Sequence, residues 1–245
     1  PIVNAPIEFY RVLRMLEPGL FSDFWAFAQK YCKPKYNGFG WNFKGSSNEE
    51  ELYQLLTKDT GIMLRRRKED VLPELDPVTR KLILIEGNVT IPKPKDMSEL
   101  EEARQECLRI KTPYVFEWID DFKMTGNKLV VFAHHRSIID ELSKRYPGCA
   151  VIDGSITGQK RELEKKRFQE DPTCWLLLGN LKAAGVGHTL TASHYVLFVE
   201  IPWTPAEIRQ AEDRLNRIGQ TEKVIAFYIL VKDSIETRMM NAVDR

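Results

Sequence analysis

The second half of the chain alternates short apolar runs with amphipathic stretches. The runs are dense in Val, Ile, Leu and Phe, and the stretches between them repeat apolar residues at helical spacing. The predicted strands are 128–133, 149–153, 175–179, 195–200 and 224–231, and the predicted helices are 137–146, 159–170, 205–218 and 233–242. Near-continuous apolar strands between helices are typical of a parallel sheet that is covered on both faces. The pattern therefore predicts an α/β domain.

The first half of the chain follows a different, mainly helical pattern. Predicted helices cover 8–16, 21–28 and 49–57, the last begun by a capping box of Ser47 and Glu50, and residues 32–48 are predicted to be irregular. A strand at 80–86, a proline-marked linker at 87–95 and a long helix at 98–122, interrupted at Pro113, follow. We predict a helical lead-in at 1–86, a linker with a long helix at 87–124, and the α/β domain at 125–245.

Composition excludes few classes of function. The chain has 36 Lys and Arg against 35 Asp and Glu, so its net charge does not indicate nucleic-acid binding. The four cysteines are far apart and form no Cys-x-x-Cys pair, so neither a disulfide framework nor a metal site is predicted. No run approaches eighteen apolar residues, and we expect an intracellular protein that does not contact a membrane.

The segment Trp203–Gln220 carries the most suggestive chemistry. Thr204 is a good N-cap and Gly219 can end a helix, which would place Gln210, Arg214 and Arg217 on one face. Ile208, Ala211, Leu215 and Ile218 would form a separate apolar stripe. Two neighbouring guanidiniums suit a phosphoryl group, because each offers a planar fork of donors. The alternative is a solvated face on which Asp213 pairs with Arg217.

Two loops after predicted strands suit phosphate contacts. Asp153-Gly-Ser-Ile-Thr157, with Arg161, offers small hydroxyls, a glycine and a helix N-terminus, although a simple turn before a capped helix explains the same residues. In the stretch 178–191, Gly185 and Gly187 allow a close backbone approach. A third feature, four consecutive bases at 65–68, is a solvated face or a nucleic-acid contact.

Several of these strings resemble one family. Gln210-Ala-Glu-Asp-Arg-Leu-Asn-Arg-Ile-Gly-Gln220 resembles motif VI of the Swi/Snf-type DNA translocases, a branch of superfamily 2 helicases, with Asn216 where the family usually has His. The strings 131–136, 153–161 and 178–191 are similar to other motifs of that family. The His134-His135 pair and the string 40–48 resemble the annealing-helicase branch.

The resemblance implies a RecA-like second helicase lobe and the roles of its residues. Arg214 and Arg217 would act on the γ-phosphate of ATP, with Mg²⁺ and most of the ATP held by an N-terminal motor lobe upstream of Pro1. The implied nucleotide-binding residues are Gly185, Gly187 and Gln210. The implied DNA-binding residues are His135, Gly154, Ser155, Thr157, Arg161, Asn180 and Lys182.

The implied function is the C-terminal half of an ATP-dependent translocase on double-stranded or forked DNA. The chain has no Gly-x-x-x-x-Gly-Lys-Ser/Thr phosphate loop, so we expect it to be inactive alone. Two alternatives stay open. One is the motor lobe of a nucleosome remodeller, and the other is a non-enzymatic interaction module derived from such a lobe.

Overall fold

The chain forms two compact units, Pro1–Leu72 and Pro73–Arg245. The computed structural model describes residues 5–64, 68–72, 74–89, 95–156, 158–181 and 189–243. The division differs from the boundary predicted at residue 86, because a strand at Thr79–Ile85 pairs in parallel with Ile225–Val231 near the end of the chain. The strand and the helix that follows it are therefore part of the second unit.

The first unit is mainly helical, as predicted. Its elements are α1 (Ile7–Leu16), α2 (Phe24–Phe27, continued by the π-helical turn Ala28–Cys32), β1 (Lys35–Tyr36), β2 (Trp41–Asn42), α3 (Glu49–Gln54, continued by the π-helical turn Leu55–Asp59) and α4 (Lys68–Val71). Its core consists of aromatic and aliphatic side chains from these helices, among them Tyr10, Leu13, Phe27, Tyr31 and Leu52. The apolar residues of 8–28 recur at helical spacing because one face of each helix packs into this core.

The segment predicted to be irregular contains a β-hairpin instead. β1 and β2 pair antiparallel, and the turn between them is held by Asn37, whose Oδ1 accepts from the backbone N–H of Phe39 and of Gly40 at 3.1 and 2.8 Å. The capping box predicted for α3 is absent. Asn48 is the N-cap, at a φ of 49°, and the Ser47 hydroxyl donates to the carbonyl of Lys30.

The second unit is built on one six-stranded sheet. Its elements are β3 (Thr79–Ile85), α5 (Met97–Lys123), β4 (Leu129–Ala133), α6 (Arg136–Arg145), β5 (Ala150–Ile152), α7 (Gly158–Glu170), β6 (Leu176–Asn180), β7 (Tyr195–Phe198), α8 (Pro205–Glu212), β8 (Ile225–Val231) and α9 (Ile235–Val243). The strand order is β3-β8-β7-β4-β6-β5, and every pair is parallel. The predicted α/β class is confirmed.

Successive residues of β4 show how the sheet is covered on both faces. Val130 and Phe132 pack in a cluster that includes Phe168 of α7 and Ile208 of α8. The alternate residues, including Val131, pack in a second cluster with α5 and α6. Because side chains of a strand alternate between faces, two helical layers enclose the sheet, and every residue of β4 is buried.

Helix α5 differs from its prediction at one point. It runs without a break from Met97 to Lys123 through Pro113, where an interruption was predicted. A proline removes one backbone donor from a helix and crowds the preceding turn. Packing compensates for this, since Val115, Ile119 and Phe122 of the following turns are buried against the sheet.

Candidate functional site

The arginine segment begins as a helix and continues as a series of turns. At the start of α8 the Thr204 side chain accepts from the backbone of Glu207, whose carboxylate accepts in return from the backbone of Thr204. The helix ends at Glu212 and not at 218 as predicted, and 213–219 is a run of turns. Gln210 therefore lies on the helix, and Arg214 and Arg217 lie beyond it.

The two arginines are nevertheless close together. Burial lowers the pKa of Arg214, the positive charge of Arg217 lowers it further, and Asp213 opposes both effects. Arg217 Nη1 donates to Thr189 Oγ1 at 3.2 Å, and the carbonyl of Arg214 accepts from the Leu190 N–H at 2.8 Å. Both arginines are thus tied to the end of the loop between β6 and β7.

A buried carboxylate fixes the segment just before the arginines. Glu212 is 3% exposed. Its two oxygens accept from Nε and Nη2 of Arg80 on β3, at 2.7 and 2.8 Å, and one also accepts from the hydroxyl of Tyr228 on β8 at 2.8 Å. Burial raises the pKa of Tyr228, so this hydroxyl stays protonated and donates. Three charge-assisted hydrogen bonds therefore hold the end of α8 to two neighbouring strands.

The turns themselves are anchored on both sides of Arg217. Asn216, at the family's His position, is buried, and its Nδ2 donates to the carbonyl of Asp76 at 3.1 Å. The Gln220 side chain donates to the carbonyl of Ser193 at 3.0 Å. Leu215 is fully buried as predicted, whereas Ile218 is 76% exposed and does not belong to the apolar stripe. The anchors come from residues distant in sequence, which explains why a helical repeat could not place them.

The other candidate residues follow the carboxyl ends of adjacent strands. His135 follows β4, Asn180 ends β6, and Gly154 and Ser155 follow β5. Asn180 Nδ2 donates to the carbonyl of His134 at 2.7 Å, which joins the first two strand ends. The sheet thus brings these residues to one edge, where α/β proteins bind ligands.

His135 lies between two carboxylates. Its Nδ1 is 2.5 Å from Glu200 Oε1 and its Nε2 is 2.6 Å from Glu101 Oε1. The hydrogen bond with Glu200 raises the pKa of His135, burial lowers it, and Glu101 adds to the rise. Both ring nitrogens are occupied in this arrangement, so the ring presents no further donor to a DNA phosphate.

Glu200 is the centre of this buried polar cluster. Its second oxygen accepts from the backbone N–H of both His134 and His135, at 2.9 and 2.8 Å. Burial alone would raise the pKa of Glu200, but the hydrogen bonds from His135 outweigh it and lower the pKa to about 2. Arg104 of α5 lies beside it, donates to the carbonyl of Ile201 at 2.9 Å, and stacks 4.3 Å from the centre of the Trp203 ring. The cluster links α5, the end of β7 and the residues that lead into α8.

The loop after β5 is organised by Asp153. Its Oδ1 accepts from the hydroxyl and the backbone N–H of Ser155, at 2.6 and 2.9 Å. Arg161 Nε donates to the carbonyl of Ile156 at 2.9 Å, so part of this guanidinium holds the loop. Gly154 is exposed, and a Cβ placed on it would meet nothing within 4 Å. The turn expected as the alternative is therefore present, and Gly154 leaves the backbone accessible.

Several predicted residues lie outside the part of the chain that the structure describes. They are Thr157, Lys182, Gly185, Gly187 and the bases at 65–67. Within the described ranges no group of three or more His, Cys, Asp or Glu could hold a metal ion, and no helix is long and apolar enough to cross a membrane. All four cysteines carry free thiols.

Sequence reasoning missed the buried charges of the second unit. Glu200 ends the apolar run of β7, and a charge at that position was a signal that it has a partner. Arg104 and Lys111, seven residues apart on α5, are both buried, and Lys111 forms an ion pair with Glu236 of α9. Seven residues make two helical turns, so Arg104 and Lys111 lie on the same face of α5 as its apolar residues. This spacing was a sequence signal that both charges are buried.

Comparisons with known proteins agree with the resemblance. The family profile described as "Helicase conserved C-terminal domain" matches residues 111–219. One relative is 31% identical over 98% of this chain and 35% of its own length. It is the SWI/SNF-related matrix-associated actin-dependent regulator of chromatin subfamily A-like protein 1 of Drosophila melanogaster. The DNA annealing helicase and endonuclease ZRANB3 of Homo sapiens is 30% identical over all of this chain and 25% of its own length. The chain thus spans about a third or less of these two relatives.

A solved structure supports the fold. The crystal structure of the C-terminal part of the Fun30 ATPase domain matches with a TM-score of 0.50 and 26% identity, over 55% of this chain and 45% of that one. The parallel sheet described above is a RecA-like helicase lobe, with a helical segment before it. Residues 111–219 thus match the helicase conserved C-terminal domain, and the chain is similar to SWI/SNF-related proteins and to DNA annealing helicases.

Proposed function

We propose that this chain is the C-terminal motor lobe of an ATP-dependent translocase on double-stranded or forked DNA, of the annealing-helicase type. The observation that carries the proposal is the placement of Arg214 and Arg217. The end of the loop between β6 and β7 holds both residues, and burial together with the charge of Arg217 lowers the pKa of Arg214. An anionic group relieves such repulsion, and a phosphoryl group fits two guanidinium forks.

The anchored turns give these arginines a fixed position. Glu212 holds the preceding residue to the sheet, Asn216 lies between the two arginines, and Gln220 closes the segment. Preorganised donors aimed at developing charge account for much of the catalysis in phosphoryl transfer. In our proposal Arg214 and Arg217 stabilise the γ-phosphoryl group as it is transferred to water, and Gln210 lies beside the nucleotide.

ATP and Mg²⁺ are bound mainly by the N-terminal motor lobe in this proposal. The sequence contains no Gly-x-x-x-x-Gly-Lys-Ser/Thr loop to hold the phosphates. The metal, when bound, neutralises charge on the phosphates and orients them. The residues of this chain supply the two arginines and, through Gly185 and Gly187, backbone contacts to the nucleotide.

The strand-end loops are the proposed grip on DNA. Gly154 and Ser155 are exposed after β5, and Arg161, Asn180, Thr157 and Lys182 complete the group. We keep His135 in this group by its place in the fold alone, since carboxylates hold both its ring nitrogens and its backbone N–H. Contacts of this kind bind phosphates without reading base sequence. We therefore expect the protein to be located with DNA inside the cell.

The experiment is ATP hydrolysis by the full-length protein with duplexes of unrelated sequence. We expect each duplex to stimulate hydrolysis to a similar extent. We also expect the protein to displace the third strand of a DNA triplex as it moves along the duplex. The 245-residue chain alone should hydrolyse no ATP. Hydrolysis that is indifferent to DNA would contradict the proposal, and robust turnover by the isolated chain would show that a complete nucleotide site exists here.

A further inference from the structure

The hairpin of the first unit exposes an unusual amount of aromatic surface. Phe39, at its tip, is 101% exposed. Tyr36 and Trp41 are 61% and 50% exposed, and they face each other across the two strands with ring centres 5.5 Å apart. Leaving large aromatic side chains in water is unfavourable, so such an exposed cluster marks a binding surface.

Part of the aromatic surface packs against the rest of the unit. Trp25 of α2, itself 42% exposed, packs edge to face on Trp41 at 5.3 Å, and Phe43 packs on Trp25 at 5.4 Å, which joins the hairpin to the core of the unit. A Cβ on Gly45 would lie 2.7 Å from the carbonyl oxygen of Cys32, so the chain after the hairpin lies directly against the end of α2. The rings of Trp25 and Trp41 therefore have a fixed arrangement, which lowers the entropy cost of binding, whereas the Phe39 ring projects into solvent from the turn that Asn37 holds.

The sequence that contains the hairpin is locally basic, between Asp23 on one side and Glu49–Glu51 on the other. From residue 24 to residue 48 the sequence has four lysines and no acidic residue. Lys30 pairs with Glu51, and the other three, Lys33, Lys35 and Lys44, are exposed on and beside the hairpin. Exposed rings surrounded by cations are the combination that binds single-stranded nucleic acid, because bases stack on the rings and lysines contact the phosphates.

We propose that the hairpin Lys35–Asn42 stacks on the bases of unpaired nucleotides in single-stranded DNA. Phe39 is the principal stacking residue, Tyr36 and Trp41 extend the surface, and the three exposed lysines contact the backbone. The bases of an intact duplex are already stacked on one another, so this surface selects unpaired strands. The choice of DNA as the nucleic acid rests on the proposed function, and the stacking surface itself does not.

The test is the affinity of the full-length protein for a fluorescent oligothymidylate and for a blunt duplex. Phe39→Ala should weaken binding of the single strand by about fivefold to a hundredfold, as for other lost base–aromatic stacks, and change binding of the duplex less than about twofold. Phe39→Leu should weaken it similarly, because leucine has no ring face, and Phe39→Trp should retain it. Met15→Ala is the control, since Met15 is also apolar and 75% exposed in the same unit, outside the hairpin.

The lysines have a separate readout. Lys35→Ala and Lys44→Ala should each lower the slope of log affinity against log salt by about 0.7, the value for one phosphate of a single strand. Because both side chains are exposed, these changes leave the fold intact.

Two results would overturn the proposal. Unchanged affinity of Phe39→Ala for the single strand would assign the surface to a protein segment, and full affinity of Phe39→Leu would show apolar contact without stacking. Hydrolysis of ATP stimulated by a blunt duplex is measured on the same proteins. If hydrolysis is stimulated but the hairpin variants bind normally, only the hairpin proposal fails. If the single strand binds through Phe39 but no DNA stimulates hydrolysis, the proposed function fails instead.

Discussion

Replacing Glu212 by alanine should destabilise the second unit more than any exposed Glu→Ala change. The carboxylate is 3% exposed, it forms two hydrogen bonds with Arg80, and it accepts a third from the fully buried Tyr228. Its loss removes the carboxylate to which the Arg80 guanidinium and the buried Tyr228 hydroxyl donate.

The magnitude follows from the burial of the two partners. Breaking a buried ion pair by removing one side costs about 3–5 kcal/mol. The Arg80 side chain is 27% exposed, so water can solvate part of its charge, and we take the lower end, about 3 kcal/mol. For a unit of this size, that corresponds to a fall in Tm of about 6–12 °C. The Tm of Glu212→Gln should lie between those of the wild type and Glu212→Ala, because the amide oxygen still accepts a hydrogen bond but carries no charge.

Scanning calorimetry of the 245-residue chain measures this fall directly. The control is Glu222→Ala, which removes an exposed carboxylate and should change stability by less than about 0.5 kcal/mol. A loss below about 1 kcal/mol for Glu212→Ala would show that the buried pair does not hold α8 to the sheet.

Two further predictions concern the cluster around His135 and the base of the hairpin. The raised pKa of His135 means that its stabilising effect is complete below the unfolded pKa, about 6.5, and is lost as pH rises through the folded pKa. The difference in Tm between the wild type and His135→Gln should therefore shrink from about pH 6 to about pH 9, and a difference that grows over this range would contradict the assignment. Gly45→Ala should cost about 1–3 kcal/mol in the first unit, since its Cβ would meet a backbone oxygen at 2.7 Å. Gly40→Ala, with nothing within 4 Å, is the matched control, and equal urea midpoints for the two variants would show that the close approach is not needed.

The sheet could be predicted from sequence because its signal is local. Strands β4 to β8 are mostly apolar runs, and both faces of β4 are buried, so these runs are easy to recognise. Strand β3 begins Thr-Arg-Lys and is partly exposed, and its place in this sheet was not predicted. The strand ends then followed from the element order, and they placed Asn180, Gly154 and Ser155 at one edge of the sheet. The parallel order of the strands is a consequence of the helices between them.

The features that could not be predicted depend on contacts between distant residues. Helix α8 ends at Glu212, where the side chain bonds to Arg80, and the turn at Asn216 is held by the carbonyl of Asp76. Helical periodicity contains no information about partners more than a hundred residues away. The short hairpin was missed for a different reason, because its two-residue strands give no alternating pattern and the Asn side chain that forms the turn also suits an irregular loop.

In the proposed function, Arg214 and Arg217 act on the transition state of ATP hydrolysis. The measurement that tests it is steady-state, DNA-stimulated hydrolysis by the full-length protein with Arg217→Ala, together with the affinities for ATP and DNA. We expect turnover to fall by about a hundredfold or more while both affinities change little.

Arg217→Lys should not restore the rate, because an ammonium keeps the charge but not the planar fork that also reaches Thr189. If the arginine instead served only an exposed pair with Asp213, its loss would cost roughly half a kcal/mol of stability and leave turnover nearly intact. An Arg217→Ala protein that hydrolyses ATP at the wild-type rate would show that Arg217 has no catalytic role.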